Sequence, residues 1–115
     1  MRVIFMGTPD FAVPTLKAIH DAGHDVVLVV AQPDRPAGRG RKVVSPPTIR
    51  LARELGLPTS QPRAIKSGSF PARVQGLQAD VAVVIAYGRI LTRTLLDAPA
   101  YGCVNVHASL LPRWR

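Results

Sequence analysis

The chain has 115 residues, 47% of them hydrophobic, and its 15 Lys and Arg outnumber 7 Asp and Glu for a formal charge of +8. That length is enough for one compact domain and not two, and that apolar content excludes global disorder. The charge favours a polyanionic partner (nucleic acid, phosphate or an acidic membrane surface) where it is clustered, and serves only solubility where it is spread.

In chain order, Arg2-Val3-Ile4-Phe5-Met6 reads as a buried strand closed by Gly7-Thr8-Pro9. Asp10 is placed to cap a helix with Phe11, Leu16 and Ile19 at its apolar positions, Pro14 in the first turn and Gly23 at the end. Val26 to Ala31 is a second strand, apolar on both faces. Residues 33–45 read as a loop rich in Pro, Gly and Arg. Ser45 is placed to cap a helix that opens with Pro46-Pro47 and ends at Gly56 and Pro58. On it Ile49, Ala52 and Leu55 share one side, with Arg50 and Arg53 turned away. A short strand near Thr59–Gln61 precedes a helix from Phe70 to Leu77 that contains Pro71. Val81 to Ala86 is the third clear strand, Ile90 to Leu96 a short helix, and Cys103 to His107 a further strand.

Strands apolar on both faces, alternating with helices, predict an α/β fold: a Rossmann-like, mostly parallel sheet with helices on both faces. Such sheets bind ligands beyond the carboxyl ends of their strands, near a switch in strand order. Gly7-Thr8-Pro9, Tyr87-Gly88 and His107 all follow strand ends and so converge there. The GTPDF loop lacks GxGxxG spacing and no P-loop occurs, which disfavours a nucleotide cofactor. The single cysteine excludes an internal disulfide and fits a reducing compartment. The apolar start is too short for a signal peptide, and no window approaches the roughly 18 apolar residues of a membrane span. The expectation is a soluble, cytoplasmic protein with no membrane partner.

Alternation along the last strand sets Cys103, Asn105 and His107 on one face and Val104 and Val106 on the other. Asn105 and His107 are then about 6–7 Å apart, close enough to reach one small group beyond the sheet. An Asn amide can donate to a developing oxyanion, and a His moves protons near neutral pH. Together they suit transfer of a carbonyl-containing group between amines. The competing interpretation is a buried polar pair bonded to neighbouring loops. Cys103 as a thiol nucleophile with His107 as base is disfavoured, because extended strand separates them by about 13 Å.

Four stretches, GTPDFA (7–12), QPDRPAGRGRK (32–42), ADVAVVIAYGRIL (79–91) and NVHASLLPRWR (105–115), resemble the folate-dependent formyltransferase family, and within it the methionyl-tRNA formyltransferases. NxHxSLLP is shared across that wider family, including enzymes acting on glycinamide ribonucleotide and sugar amines; DRPAGRG points to the tRNA branch. The resemblance implies formyl transfer from 10-formyltetrahydrofolate, as co-substrate, to the amine of methionyl initiator tRNA, with no metal and no nucleotide cofactor. It implies catalytic roles for Asn105 and His107. It assigns folate binding to Ser109, Leu110, Leu111 and Pro112, and to Ala86, Tyr87, Gly88, Arg89, Ile90 and Leu91. In the family a catalytic aspartate and a carboxy-terminal β-barrel domain follow. On that ground residues 1–115 are expected to be the amino-terminal part of the catalytic domain, inactive alone. A full-length parent is expected to be monomeric, whereas an exposed sheet edge would let the piece self-associate.

The charge cluster lies in the DRPAGRG segment. Arg35, Arg39, Arg41 and Lys42 face one acid, Asp34, with Gly38 and Gly40 flanking Arg39. With the resemblance, these four cations are expected to bind tRNA phosphates and unstacked bases. Trp114 is expected to pack on protein rather than stack on a base. Two alternatives stand beside this reading: a formyltransferase acting on a small amine of purine or sugar metabolism, and an inactive folded piece that only binds ligand or RNA.

Overall fold

The computed structural model describes residues 1–38, 40 and 42–107. Its strands are β1 (Arg2–Gly7), β2 (Asp25–Val30), β3 (Arg35–Ala37), β4 (Lys42–Val44), β5 (Thr59–Ser60), β6 (Val81–Ile85) and β7 (Cys103–Asn105). Its helices are α1 (Val13–Asp21), entered through a 3-10 turn at Asp10–Ala12, α2 (Pro47–Glu54), α3 (Phe70–Gly76) and α4 (Arg93–Asp97). No helix among the described residues is long and apolar enough to cross a membrane.

Five strands form one sheet in the order β5-β2-β1-β6-β7, and every pairing in it is parallel. Alternation along each strand divides the core into two layers. Ile4, Met6, Leu28 and Ala82 pack beneath Phe70 and Val74 of α3 and Leu95 of α4. Phe5, Val29 and Ile85 pack beneath Leu16 of α1 and Ile49 and Ala52 of α2. Helices therefore cover both faces, as the apolar strands predicted. In β2 one residue breaks the phase: Val3 pairs with Val26 but Ile4 with Leu28, so Val27 is extra. This bulge turns Val27 and Leu28 toward the same layer.

Several local expectations are corrected. Residues 33–45 are not a plain loop: β3 and β4 pair antiparallel as a hairpin, reversed where Gly38 (φ 69°) and Gly40 (φ 76°) take left-handed backbone. Asp10 and Ser45 are not helix caps. Ala12 and Pro46 occupy those positions without a side-chain bond, and Ser45 Oγ instead accepts from Arg53 Nη1 at 2.9 Å. The physical reason is the proline in the first turn of α1, α2 and α3, which removes one of the donors a cap would satisfy. Among the described helices α4 does have a side-chain cap, with Thr92 Oγ1 accepting from the Leu95 amide at 3.2 Å. That helix starts at Arg93, not at Ile90, which is 91% exposed. The last strand ends at Asn105, so His107 stands just beyond it.

The switch in strand order falls between β1 and β6. From β1 the chain builds outward to β2 and β5, then returns to β6 on the other side of β1. At this point Gly7 pairs with Ile85. A Cβ on Gly7 would lie 2.8 Å from the Ile85 carbonyl oxygen and 2.9 Å from the Phe5 ring. The buried Thr48 donates its hydroxyl to the Gly7 carbonyl at 2.6 Å, docking α2 on the end of β1. Gly7→Ala should therefore destabilise the protein by about 1–3 kcal/mol, the cost of forcing extra volume into a close-packed core. Urea denaturation checks this, and an unchanged midpoint would mean that the two strands part without cost.

Candidate active site

Beyond β6 the chain turns abruptly. Ala86 (φ 49°) and Gly88 (φ 94°) both take left-handed backbone. For alanine that conformation is strained, by roughly 1–3 kcal/mol, and persists where the surroundings enforce it. The enforcement is visible here. Thr8 Oγ1 donates to the Tyr87 carbonyl at 3.1 Å, tying this turn to the end of β1. The Tyr87 side chain is itself 1% exposed and packs in the layer under α3 and α4.

β7 lies along β6, with Asn105 opposite Val84 and the Val106 amide donating to the Val84 carbonyl at 2.7 Å. This register carries Asn105 and His107 to the side of the Ala86–Ile90 segment. Together they line an open cleft of about 450 Å³, with Phe11 at its rim. Both polar residues are exposed there. Within residues 1–107 the two side chains face the cleft and are not buried against neighbouring loops.

Cys103, on the same strand, is placed otherwise. It packs against the layer under α3 and α4, and its Sγ donates to the Leu96 carbonyl at 3.7 Å. Burial, and secondarily the Asp97 carboxylate, push its thiol pKa upward. A neutral core thiol is a poor nucleophile.

The ends of four parallel strands are joined by side chains. Arg89 Nε donates to Gln32 Oε1 at 3.2 Å, and its Nη1 donates to the Arg63 carbonyl at 2.7 Å. The Gln32 amide donates to Thr8 Oγ1 at 3.3 Å. Gln61 Nε2 reaches both the Gln32 carbonyl, at 3.1 Å, and Asp34 Oδ1, at 2.6 Å. The Gln61 bond, and then Ser45, hold the Asp34 carboxyl below its ordinary pKa. Gln32 is thus the common partner of β1, β5 and the turn after β6.

A second cleft, of about 500 Å³, shares Ala86, Tyr87 and Gly88 with the first. Pro9, Pro33, Val44 and Pro46 form apolar wall, and Arg35 and Arg50 supply charge.

Ala86, Tyr87, Gly88, Arg89 and Ile90 line the first cleft with Asn105 and His107. Leu91 does not line it and packs against the core instead. Arg35 lines the second cleft, whereas Lys42 is exposed on β4 and lines neither. Arg39, Arg41, Ser109, Leu110, Leu111, Pro112 and Trp114 lie outside the described residues. Phe11 and Arg50 were not foreseen as lining residues. Phe11 was expected on the apolar side of a helix but is 51% exposed at the cleft. Arg50 was turned away from the core, and the direction away from the core here is toward a cleft.

A parallel α/β sheet with a polar cleft at its switch point is the architecture of a ligand-binding α/β domain. The chain belongs to the formyltransferase family, whose family model, described as formyl transferase, matches residues 1–115. Over its whole length it is 57% identical to methionyl-tRNA formyltransferase of Pelotomaculum thermopropionicum and 54% identical to that of Hydrogenovibrio crunogenus, spanning 37% of the length of each. Solved structures support the fold alone. Phosphoribosylglycinamide formyltransferase from Bacillus halodurans superposes with a TM-score of 0.65 at 20% identity, covering 97% of this chain and 58% of that one. Glycinamide ribonucleotide transformylase 1 from Symbiobacterium toebii gives 0.64 at 21% identity, covering 97% and 53%.

Two consequences of this geometry can be measured. Ala86→Val should cost on the order of 1–3 kcal/mol of stability, because a β-branched residue resists positive φ, whereas Ala86→Gly should cost nothing. Equal melting temperatures for the two variants would place the strain elsewhere. Cys103 should react with iodoacetamide more slowly than free cysteine at pH 8. Its rate should climb only as the pH passes the ordinary thiol range, since burial disfavours the thiolate. Rapid labelling at pH 8 would restore the reactive thiol.

Proposed function

We propose that residues 1–115 supply part of the active site of an enzyme that transfers a formyl group from 10-formyltetrahydrofolate to the amine of methionyl initiator tRNA. The carrying observation is the convergence of Asn105 and His107 with the Ala86–Ile90 segment on one open cleft. The names of the relatives support the choice of substrates. The neutral amine attacks the formyl carbon, forming a new C–N bond and a tetrahedral oxyanion. Asn105 donates its side-chain N–H to that oxygen. His107 takes the proton from the incoming nitrogen and delivers one to the folate nitrogen as the old C–N bond breaks. Folate binds along Ala86–Ile90, and the family resemblance assigns Ser109, Leu110, Leu111 and Pro112 to the same ligand. On this reading the chain is the amino-terminal part of a catalytic domain, and a third catalytic group, an aspartate, lies outside residues 1–115.

The β3–β4 hairpin favours an RNA acceptor over a small amine. Arg35 and Lys42 are exposed on it, and Arg39 and Arg41 add charge to the same segment of sequence. Exposed cations on a two-stranded projection suit a phosphate backbone, whose binding weakens as salt rises.

The test uses a full-length formyltransferase that carries these 115 residues. His107→Ala should lower kcat far more than it raises KM for either substrate. Asn105→Ala should cost about 2.7–4 kcal/mol of transition-state stabilisation, or roughly 10²–10³ in kcat. Turnover by both variants close to that of the parent would remove the pair from the mechanism. Activity on glycinamide ribonucleotide in place of charged tRNA would select the small-amine alternative.

A further inference from the structure

Between residues 32 and 45 one acid, Asp34, stands among four cations, Arg35, Arg39, Arg41 and Lys42. On the proposed function these cations meet RNA phosphates, and a carboxylate beside them opposes that binding, since like charges repel. Asp34 has no compensating contact with the reacting groups, because it lines neither cleft. Its carboxyl is turned to the body of the domain instead. Oδ1 accepts from Gln61 Nε2 at 2.6 Å, and the same nitrogen donates to the Gln32 carbonyl at 3.1 Å. Gln61 follows directly on β5, which is paired with β2 in the main sheet. After Gln61, Ser45 and then the charge of Arg53 also favour the Asp34 carboxylate. Ser45 lies where the chain leaves β4, and Arg53 Nη1, from α2, donates to its Oγ at 2.9 Å. One carboxylate therefore gathers both arms of the hairpin onto β5 and α2.

The hairpin has little else to orient it. β3 and β4 pair with each other and with no strand of the five-stranded sheet. They contribute no residue to either core layer. The angle at which the hairpin stands is therefore set by the bonds at its root. That root is tied in turn to the catalytic cleft. Gln32 Oε1 accepts from Arg89 Nε at 3.2 Å, and its amide nitrogen lies so near Gly88 that a Cβ there would come within 2.8 Å. Gly88 and Arg89 line the cleft that Asn105 and His107 face.

Resting on the proposed function, we infer that Asp34 is a positioning residue for the transfer. Held by Gln61, it fixes the hairpin at one angle to the wall of the catalytic cleft. RNA gripped by the hairpin cations then presents its acceptor amine where Asn105 and His107 can act on it. An error of about 1 Å in such placement can slow a reaction by about 10²-fold without loosening the substrate. The acid in the basic segment thus serves alignment, and its repulsion of phosphate is the accompanying cost.

The experiment uses the full-length enzyme with methionyl initiator tRNA. Formylation by the wild type is the control. If it fails, the proposed function falls; if it succeeds, the variants judge the hairpin root alone. Hydrogen bonds between exposed groups add little to stability, so the melting temperatures should stay close to that of the parent. Asp34→Ala removes a negative charge beside the cations, and charge alone would make RNA bind more tightly. The single-turnover rate at saturating tRNA should nonetheless fall by about tenfold or more, while Kd for the tRNA stays equal or decreases. Affinity for 10-formyltetrahydrofolate should not move. Gln61→Met removes the donor without changing charge and should slow the transfer equally. The double variant should be no slower than either single one, because both cut the same link. Asp34→Asn keeps an oxygen that accepts from Gln61 and should recover most of the rate. Transfer by Asp34→Ala at the parent's rate would overturn the inference and leave the acid as a moderator of charge. A loss confined to tRNA affinity would overturn it too, making the hairpin a grip with no part in alignment. So would Asp34→Asn as slow as Asp34→Ala, or losses that multiply in the double variant.

Discussion

The site depends on how closely β1 and β6 approach at their carboxyl ends. Gly7 and Ile85 are register partners there, and the space for a side chain on Gly7 is already filled by backbone and by Phe5. That contact sets the height at which the chain leaves β6. The left-handed turn at Ala86 follows at once, and Thr8 holds it from the β1 side. β7 takes its register from β6, so the positions of Asn105 and His107 inherit the same alignment. In a parallel sheet every strand ends on one side, and one tight pair of strands can therefore position groups contributed by several loops.

A different economy governs the hairpin. Two paired strands of three residues are marginal on their own, and all three residues of β4 are exposed. What holds the hairpin is at its base. Gln61 fastens Asp34 on one side, and Arg53 fastens Ser45 on the other. These bonds pass through exposed groups and contribute less than burial does. The hairpin therefore belongs to the low-stability end of the molecule, where binding loops are commonly found. Its charge is carried out from the domain while its root stays fixed to Gln32, the residue that also receives Arg89.

The fold was legible because β1, β2 and β6 are apolar on both faces, a pattern that few arrangements other than a covered parallel sheet can bury. The Asn105–His107 pair was legible from alternation and from its place after a strand. The hairpin was not. Every residue of 35–44 whose burial is described is exposed, so no period marks the segment, and Pro36 within β3 argues against a strand. The helix starts were misjudged for a related reason: Asp10 and Ser45 fit the cap pattern, but the prolines that follow reduce the need for a cap. Arg89 shows a further limit. Its place in the motif made it a lining residue of the cleft, but nothing there marked the brace its side chain also makes to Gln32 and Arg63, a role that depends on two residues distant in sequence.

That brace bears on how strain is kept at the site. A left-handed alanine relaxes unless the segment after it is held, and here three residues in succession are held. Tyr87 is fixed through its carbonyl and its buried side chain, Gly88 approaches the Gln32 amide so closely that a Cβ would lie 2.8 Å from its nitrogen, and Arg89 is bonded at both ends of its guanidinium. The wall between the two clefts is therefore rigid in backbone while both clefts stay open. A rigid partition keeps the two clefts in a fixed relation to each other, with Ala86, Tyr87 and Gly88 as their common wall. On the proposed function, the ordering that brings reacting groups together is met in part by the folded chain before a ligand arrives.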